Sequence, residues 1–100
     1  MEYLIDLGFT DYDISDIKND NESNIIKNLE LNKDNVIEII KYLMEIGLEK
    51  TTIKDIFRNQ VNLFFKTLNE IKKSFDEYEI DTIVKSLNFD ANNIELIDFI

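Results

Sequence analysis

The sequence predicts an all-α fold: a short helical-repeat array of about two and a half helix-turn-helix units forming one compact domain over residues 1–100. Three observations carry this expectation. Apolar residues recur at the three- and four-residue spacing of helices, and the chain contains no proline. One pattern is written three times, as YLIDLGFTDYDISDI at 3–17, YLMEIGLEKTTIKDIF at 42–57 and IVKSLNFDANNIELI at 83–97. Its equivalent positions Gly8, Gly47 and Asn88 lie 39 and then 41 residues apart, a period at which a repeated helix pair stacks on its neighbours.

Each copy has the parts of a helix stop followed by a helix start. Glycine or asparagine at positions 8, 47 and 88 supplies the left-handed residue that ends a helix. Phe9, Leu48 or Phe89 follows, and Ile14, Ile53 or Ile94 comes five residues later, the spacing of a hydrophobic staple. Thr10 and Asp90 stand at the implied N-cap, whereas Glu49 is a poorer cap and places the start of the middle helix as late as Thr51. Ile17, Ile56 and Ile97 continue the inward stripe.

In chain order, residues 3–7 form a first helix closed by Gly8, and Thr10 with Asp13 resembles a capping box opening a helix through Lys18. Residues 19–23 are a polar break. Asp11, Asp13, Ser15 and Glu22 stand at the first, third, fifth and twelfth places of a calcium loop. Asp16 and Lys18 occupy the places that need glycine and an apolar residue, so a capped helix is the better account and no metal or cofactor is expected. A short helix at 25–29 leads, from Asn32 or Asp34, into the longest one at 35–46. There Val36, Ile39, Ile40, Leu43 and Ile46 form one stripe that Ile37 and Met44 widen, which makes this helix the central, most buried element. Ile53, Ile56 and Phe57 face inward on the next helix. On its opposite side Lys50, Lys54 and Arg58 form a basic line that pairs with Glu49 and Asp55 or grips an anion, with Lys66, Lys72 and Lys73 as potential extensions.

Residues 61–75 form one or two helices. Phe64 and Phe65 point about 100° apart, so one of them leaves the core stripe and meets a second layer or a partner. Asp76, Glu77, Glu79 and Asp81 form an acidic start to a helix at 80–87. The third copy opens at Asp90, and Ile94, Ile97, Phe99 and Ile100 leave its final helix apolar, where a repeat array needs a polar cap; it docks on its own domain, is covered by a partner or a second copy, or the chain continues. The repeat units then fall at about 1–34, 35–75 and 76–100.

The order of apolar, acidic, apolar, glycine and apolar residues, Ile5-Asp6-Leu7-Gly8-Phe9 and again Met44-Glu45-Ile46-Gly47-Leu48, resembles the repeat of the mitochondrial transcription termination factors (mTERF). That resemblance implies two-helix units with a short third helix, stacked into a curved solenoid that holds nucleic acid on its concave side. Two departures restrict it to the fold. The family carries a proline after the short helix, near Asn19 or Asn59 here, and its nucleic-acid path is basic. Gly8 and Phe9 also match two positions of the loop with which ubiquitin-associated domains bind ubiquitin.

The chain carries 21 acidic and 11 basic residues, a formal charge of −10, with no Cys and no His. Imidazole catalysis, thiol chemistry and the usual structural zinc are therefore excluded. No nucleophile elbow, phosphate-cradling glycine loop or metal-ligand cluster is present, so no enzymatic activity is expected. Charge is distributed as −6 over 1–24, +2 over 25–73 and −6 over 74–100, which disfavours nucleic acid as a partner. Without a long apolar run or a signal segment, a cytoplasmic protein with no membrane contact is expected. A protein-interaction module, binding a partner or forming a homo-oligomer, fits the repeats, the adjacent phenylalanines and the apolar last helix. The alternatives are a nucleic-acid-binding repeat protein and an acidic inhibitor that mimics nucleic acid. Candidate contact residues are Lys50, Lys54, Arg58, Phe64, Phe65 and Phe99.

Overall fold

A left-handed residue after a helix turns the chain back so that the next two N–H groups reach the last carbonyls, and glycine adopts that conformation without strain. Gly8 and Gly47 do this at φ +95° and +114°, in a computed structural model that describes residues 1–97. Helix α1 (Tyr3–Asp6) ends with the Phe9 N–H bonded to the Leu4 carbonyl at 3.1 Å and the Gly8 N–H to Ile5 at 3.0 Å. Helix α4 (Lys33–Ile46) repeats it: Leu48 N–H to Leu43 at 2.9 Å, Gly47 N–H to Met44 at 3.1 Å. Leu4, Phe9, Leu43 and Leu48 are all buried, so each turn also closes an apolar contact region. Among the described residues every regular element is a helix, and the protein is an all-α single domain.

Helix α2 (Asp11–Asp20) opens on the expected reciprocal capping box, with the Asp13 N–H donating to Thr10 Oγ1 at 3.1 Å and the Thr10 N–H donating to Asp13 Oδ2 at 3.0 Å. It runs two residues past Lys18, and Asn21 closes it by donating its side-chain amide to the Ile17 carbonyl. Helix α3 (Ser23–Leu31) is longer than the 25–29 segment expected, and only Leu29 on it is fully buried. Tyr3 ties α1 to it, its hydroxyl donating to the Leu29 carbonyl at 3.4 Å, and burial pushes the phenol up to about 12.

Helix α4 is central, as its broad apolar surface demands. Val36, Ile39, Ile40 and Leu43 have no exposed surface, and the helix packs on α1, α3, α6 (Leu68–Phe75), α5 (Lys50–Asn59) and a 3-10 helix, η1 (Val61–Phe65). Residues 61–75 divide at Lys66, and Thr67 caps α6 by accepting from the Glu70 N–H at 3.2 Å. Neighbours on a 3-10 helix differ by about 120°. Phe64 accordingly enters the core and stacks on Phe57 with ring centroids 3.9 Å apart, while Phe65 lies at the surface. Asn35 holds this bend by donating to the Lys66 carbonyl at 2.7 Å.

The third copy of the pattern departs from the other two. Helix α7 (Ile80–Phe89) continues through Asn88 instead of stopping there, no non-glycine residue among those described has positive φ, and the chain turns back onto α7 without a left-handed residue. Phe89 is consequently 89% exposed, where Phe9 and Leu48 are buried. The element that follows, η2 (Ala91–Leu96), is a 3-10 helix with an Asp90 cap, and only Ile94 keeps the buried position of Ile14 and Ile53. The reason is the side chain: Asn88 carries a Cβ that disfavours the left-handed region, and its amide is committed elsewhere. Its Oδ1 accepts from the Glu49 N–H at 3.0 Å and from the Thr52 hydroxyl at 2.7 Å, and its Nδ2 donates to the Gly47 carbonyl at 3.2 Å. Asn88 thus satisfies the backbone N–H of Glu49, the N-cap residue whose own side chain makes no cap bond, and α5 starts at Lys50 rather than at Thr51. The expected contact residue Phe99 and the end of the apolar tail, 98–100, lie outside the described residues.

Two substitutions test this architecture. Gly47→Ala puts a Cβ at φ +114° and 3.3 Å from Val84 Cγ1 and is expected to cost about 1–3 kcal/mol in urea unfolding. Phe64→Ala is expected to cost about 3–5 kcal/mol by loss of the buried stack, and Phe65→Ala less than about 1 kcal/mol. Equal effects at 64 and 65 would contradict the placement of the two rings.

Candidate functional site

Two surfaces bear on function: the charged seam between α2 and α5, and the apolar edge along α7 and η2. On α5, residues 50, 54 and 58 share one face by the four-residue spacing. That face lies against α2. Lys54 Nζ is 2.7 Å from Asp16 Oδ2 and 3.1 Å from Asp13 Oδ1, and Arg58 Nε is 2.7 Å from Asp20 Oδ2. The partners are therefore carboxylates 38 or more residues away on the neighbouring helix, not the local Glu49 and Asp55. Lys50 lies across Gly8, where a Cβ would come within 2.5 Å of its Nζ. Lys72, one of the potential extensions, sits over the Tyr42 ring at 5.4 Å.

The seam shifts its own groups. The Thr10 backbone N–H, with help from Lys54, holds the Asp13 carboxyl below its usual value, and desolvation offsets part of this. Asp16, then Asp13, raise Lys54, and Asp20 raises Arg58. Asn21 completes the joint by donating to the Phe57 carbonyl at 3.1 Å as well as to its own helix. Asp11, Asp13 and Ser15 stand on the regular turn of α2, where residues two apart point about 200° from each other, so they do not converge on a common ion. Among the described residues no three His, Cys, Asp or Glu side chains are grouped to hold a metal.

The second surface is apolar. Tyr78, Ile83, Leu87, Leu96 and Ile97 line a groove of about 210 Å³ between α7 and η2, with Glu79, Thr82, Ser86 and Asn93 as its polar members. Asn93 fixes the two walls, donating its amide to the Ser86 carbonyl at 2.9 Å. Leu96 in the groove lining is 76% exposed; Phe89, 89% exposed at the end of α7, borders a separate polar depression with Thr51, Asp55 and Asp90. Of the expected contact residues, Phe65 is partly exposed while Phe64 is wholly internal. Tyr78, Phe89 and Leu96 were not among the expected contacts. Leu96 carries a signal in the sequence: it is apolar but off the stripe of Ile94 and Ile97. Phe89 carries none, because its pattern position matches two buried residues. Among the described residues no helix is long and apolar enough to cross a membrane. Comparison with protein-family models, with curated proteins and with solved structures finds no match to this chain.

The seam generates a pH prediction. A carboxyl whose pKa is depressed on folding contributes stability that is present above its unfolded value and lost as pH falls through the folded one. Asp13→Asn is therefore expected to lower the urea midpoint at pH 7, with the gap to the unsubstituted chain closing as pH falls below the ordinary 3.8. Lys54 has the opposite sign: its raised pKa contributes below 10.5 and is lost as pH climbs past it. Lys54→Met should lower the pH 7 midpoint more than Lys50→Met does. A constant Asp13→Asn gap from pH 7 to pH 2.5, an interval of roughly 4–5 pH units, would remove the account in which the ionised Asp13 carboxylate holds the Thr10 cap and Lys54.

Proposed function

We propose that this chain is a non-enzymatic protein-interaction module built from a repeated helical unit. The observation that carries the reading is the α7–η2 edge, where Leu96 stands exposed in an apolar groove and Phe89 stands exposed at the end of α7, on a chain whose formal charge is −10. Large apolar side chains gathered at one edge are what a protein partner desolvates. Among the described residues the glycine turn followed by a short helix occurs twice, before α2 and α5, and α2, α5 and η2 pack side by side in chain order, as stacked units would. This supports the fold-level likeness to the termination-factor repeat. The nucleic-acid part of that likeness loses its motive, because Lys54 and Arg58 spend their charge on Asp13, Asp16 and Asp20 and leave no basic path along α5.

Site-specific photocrosslinking tests the reading. A benzoylphenylalanine introduced at Phe89 or at Leu96 is expected to capture a polypeptide in extracts of the source cells, and the same group at Tyr12, 82% exposed on α2, is expected not to. Nucleic-acid adducts, or protein adducts of equal yield at all three positions, would overturn it. Charge reversal by Lys54→Glu is expected to lower stability through repulsion from Asp13 and Asp16 without abolishing any mobility shift of labelled DNA.

A further inference from the structure

We infer that the groove between α7 and η2 receives an amphipathic helix with a basic outer face, supplied by a different protein; this rests on the interaction-module reading and specifies its partner. The groove runs along one face of α7. Its α7 wall is made by positions 79, 82, 83, 86 and 87, a single face two turns long, about 12 Å at the helical rise. Ile83 and Leu87 form the floor and are almost fully buried, while Leu96 and Tyr78 stand at the margins, 76% and 42% exposed. Two turns of a partner helix present apolar anchors at i, i+3 or i+4, and i+7, which is the periodicity this floor can take.

Charge decides between occupants. Glu79 is the charged residue in the lining. Asp76 and Glu77 precede it in the chain and Asp81 follows it on α7, against Lys85 alone on that helix, while Asp90 and Glu95 border other depressions. Lys66 lies on the far side of Ile97, in a separate depression that it shares with Glu95. A second copy of this chain brings −10 to the same place, and an anionic lipid surface brings negative headgroups, so both meet repulsion. A helix whose flanks carry Lys or Arg meets attraction from Glu79 at the mouth of the groove and from the net negative charge of the chain, while its apolar stripe covers Leu96 and Tyr78.

The probe is a synthetic peptide of about 14 residues, with leucines in helical register on one face and lysines elsewhere. Its controls are a scrambled sequence of the same composition and a version with glutamate in place of lysine. Titrated into the isotope-labelled full chain, the in-register basic peptide is expected to shift amides of residues 78–97. Its Kd is expected to be of order 10–100 μM and to rise as salt goes from about 0.05 to 0.3 M. Leu96→Asp is expected to weaken it about 10-fold or more. Thr82→Lys, an exposed change that leaves the floor intact, is expected to weaken it about 3- to 10-fold. Equal binding by the scrambled or the glutamate peptide, shifts centred on the acids of α2, no binding at about 1 mM, or peptide-independent dimerisation through residues 78–97 would each overturn the inference. If the peptide fails while crosslinks from Phe89 and Leu96 still reach a protein, the module reading stands and only the helical, basic occupant is wrong. Absence of any crosslink removes the module reading itself.

Discussion

Helix α5 is held on three sides, and each side uses a different chemistry. Ile53, Ile56 and Phe57 are buried without exposed surface, with Phe57 stacked on Phe64. Lys54 and Arg58 are clasped by the aspartates of α2, and Asn88 of α7 caps the first turn. The magnitudes separate what these contacts do. Burying each of the three apolar side chains stabilises by about 1.5–3 kcal/mol, whereas exposed ion pairs are worth about 0–1 kcal/mol. Burial therefore holds α5 in place, and the ion pairs and amide caps select its register against α2 and α7.

Amides carry much of that selection. Asn21, Asn35, Asn88 and Asn93 each donate to a backbone carbonyl of another element, and these bonds fall where helices end or the chain bends. Helix termini leave carbonyls and N–H groups without intrahelical partners, and in a chain of short helices those groups are numerous. A side chain with both donor and acceptor on one amide satisfies them in pairs, as Asn88 does for Gly47, Glu49 and Thr52. The asparagine content of this chain is thus part of how its units are joined.

The same packing determines what the surface offers. Because α5 turns Lys54 and Arg58 onto α2, these two cations are answered by Asp13, Asp16 and Asp20 rather than offered to an external anion. On the other side, α5 packs on η2, which is shorter and more tightly wound than α2, and the edge beyond it keeps Phe89 and Leu96 in solvent.

What the sequence determined alone is everything decided within a few consecutive residues. Gly8 and Gly47 end their helices because φ beyond +90° is open to glycine and not to its neighbours; Thr10 and Asp13 start α2 because a capping box closes over three residues; and the α4 stripe is read from its own period. The divergence of Phe64 and Phe65 was legible in the same way, but not which of them enters the core. Only the tertiary structure decided that Phe64 meets Phe57, that Asp13, Asp16 and Asp20 rather than Glu49 and Asp55 answer the cations, and that Asn88 stays helical to cap α5. Those outcomes depend on groups 38 or more residues apart arriving within 3 Å, or on rings brought together across a bend, and no local window contains both partners.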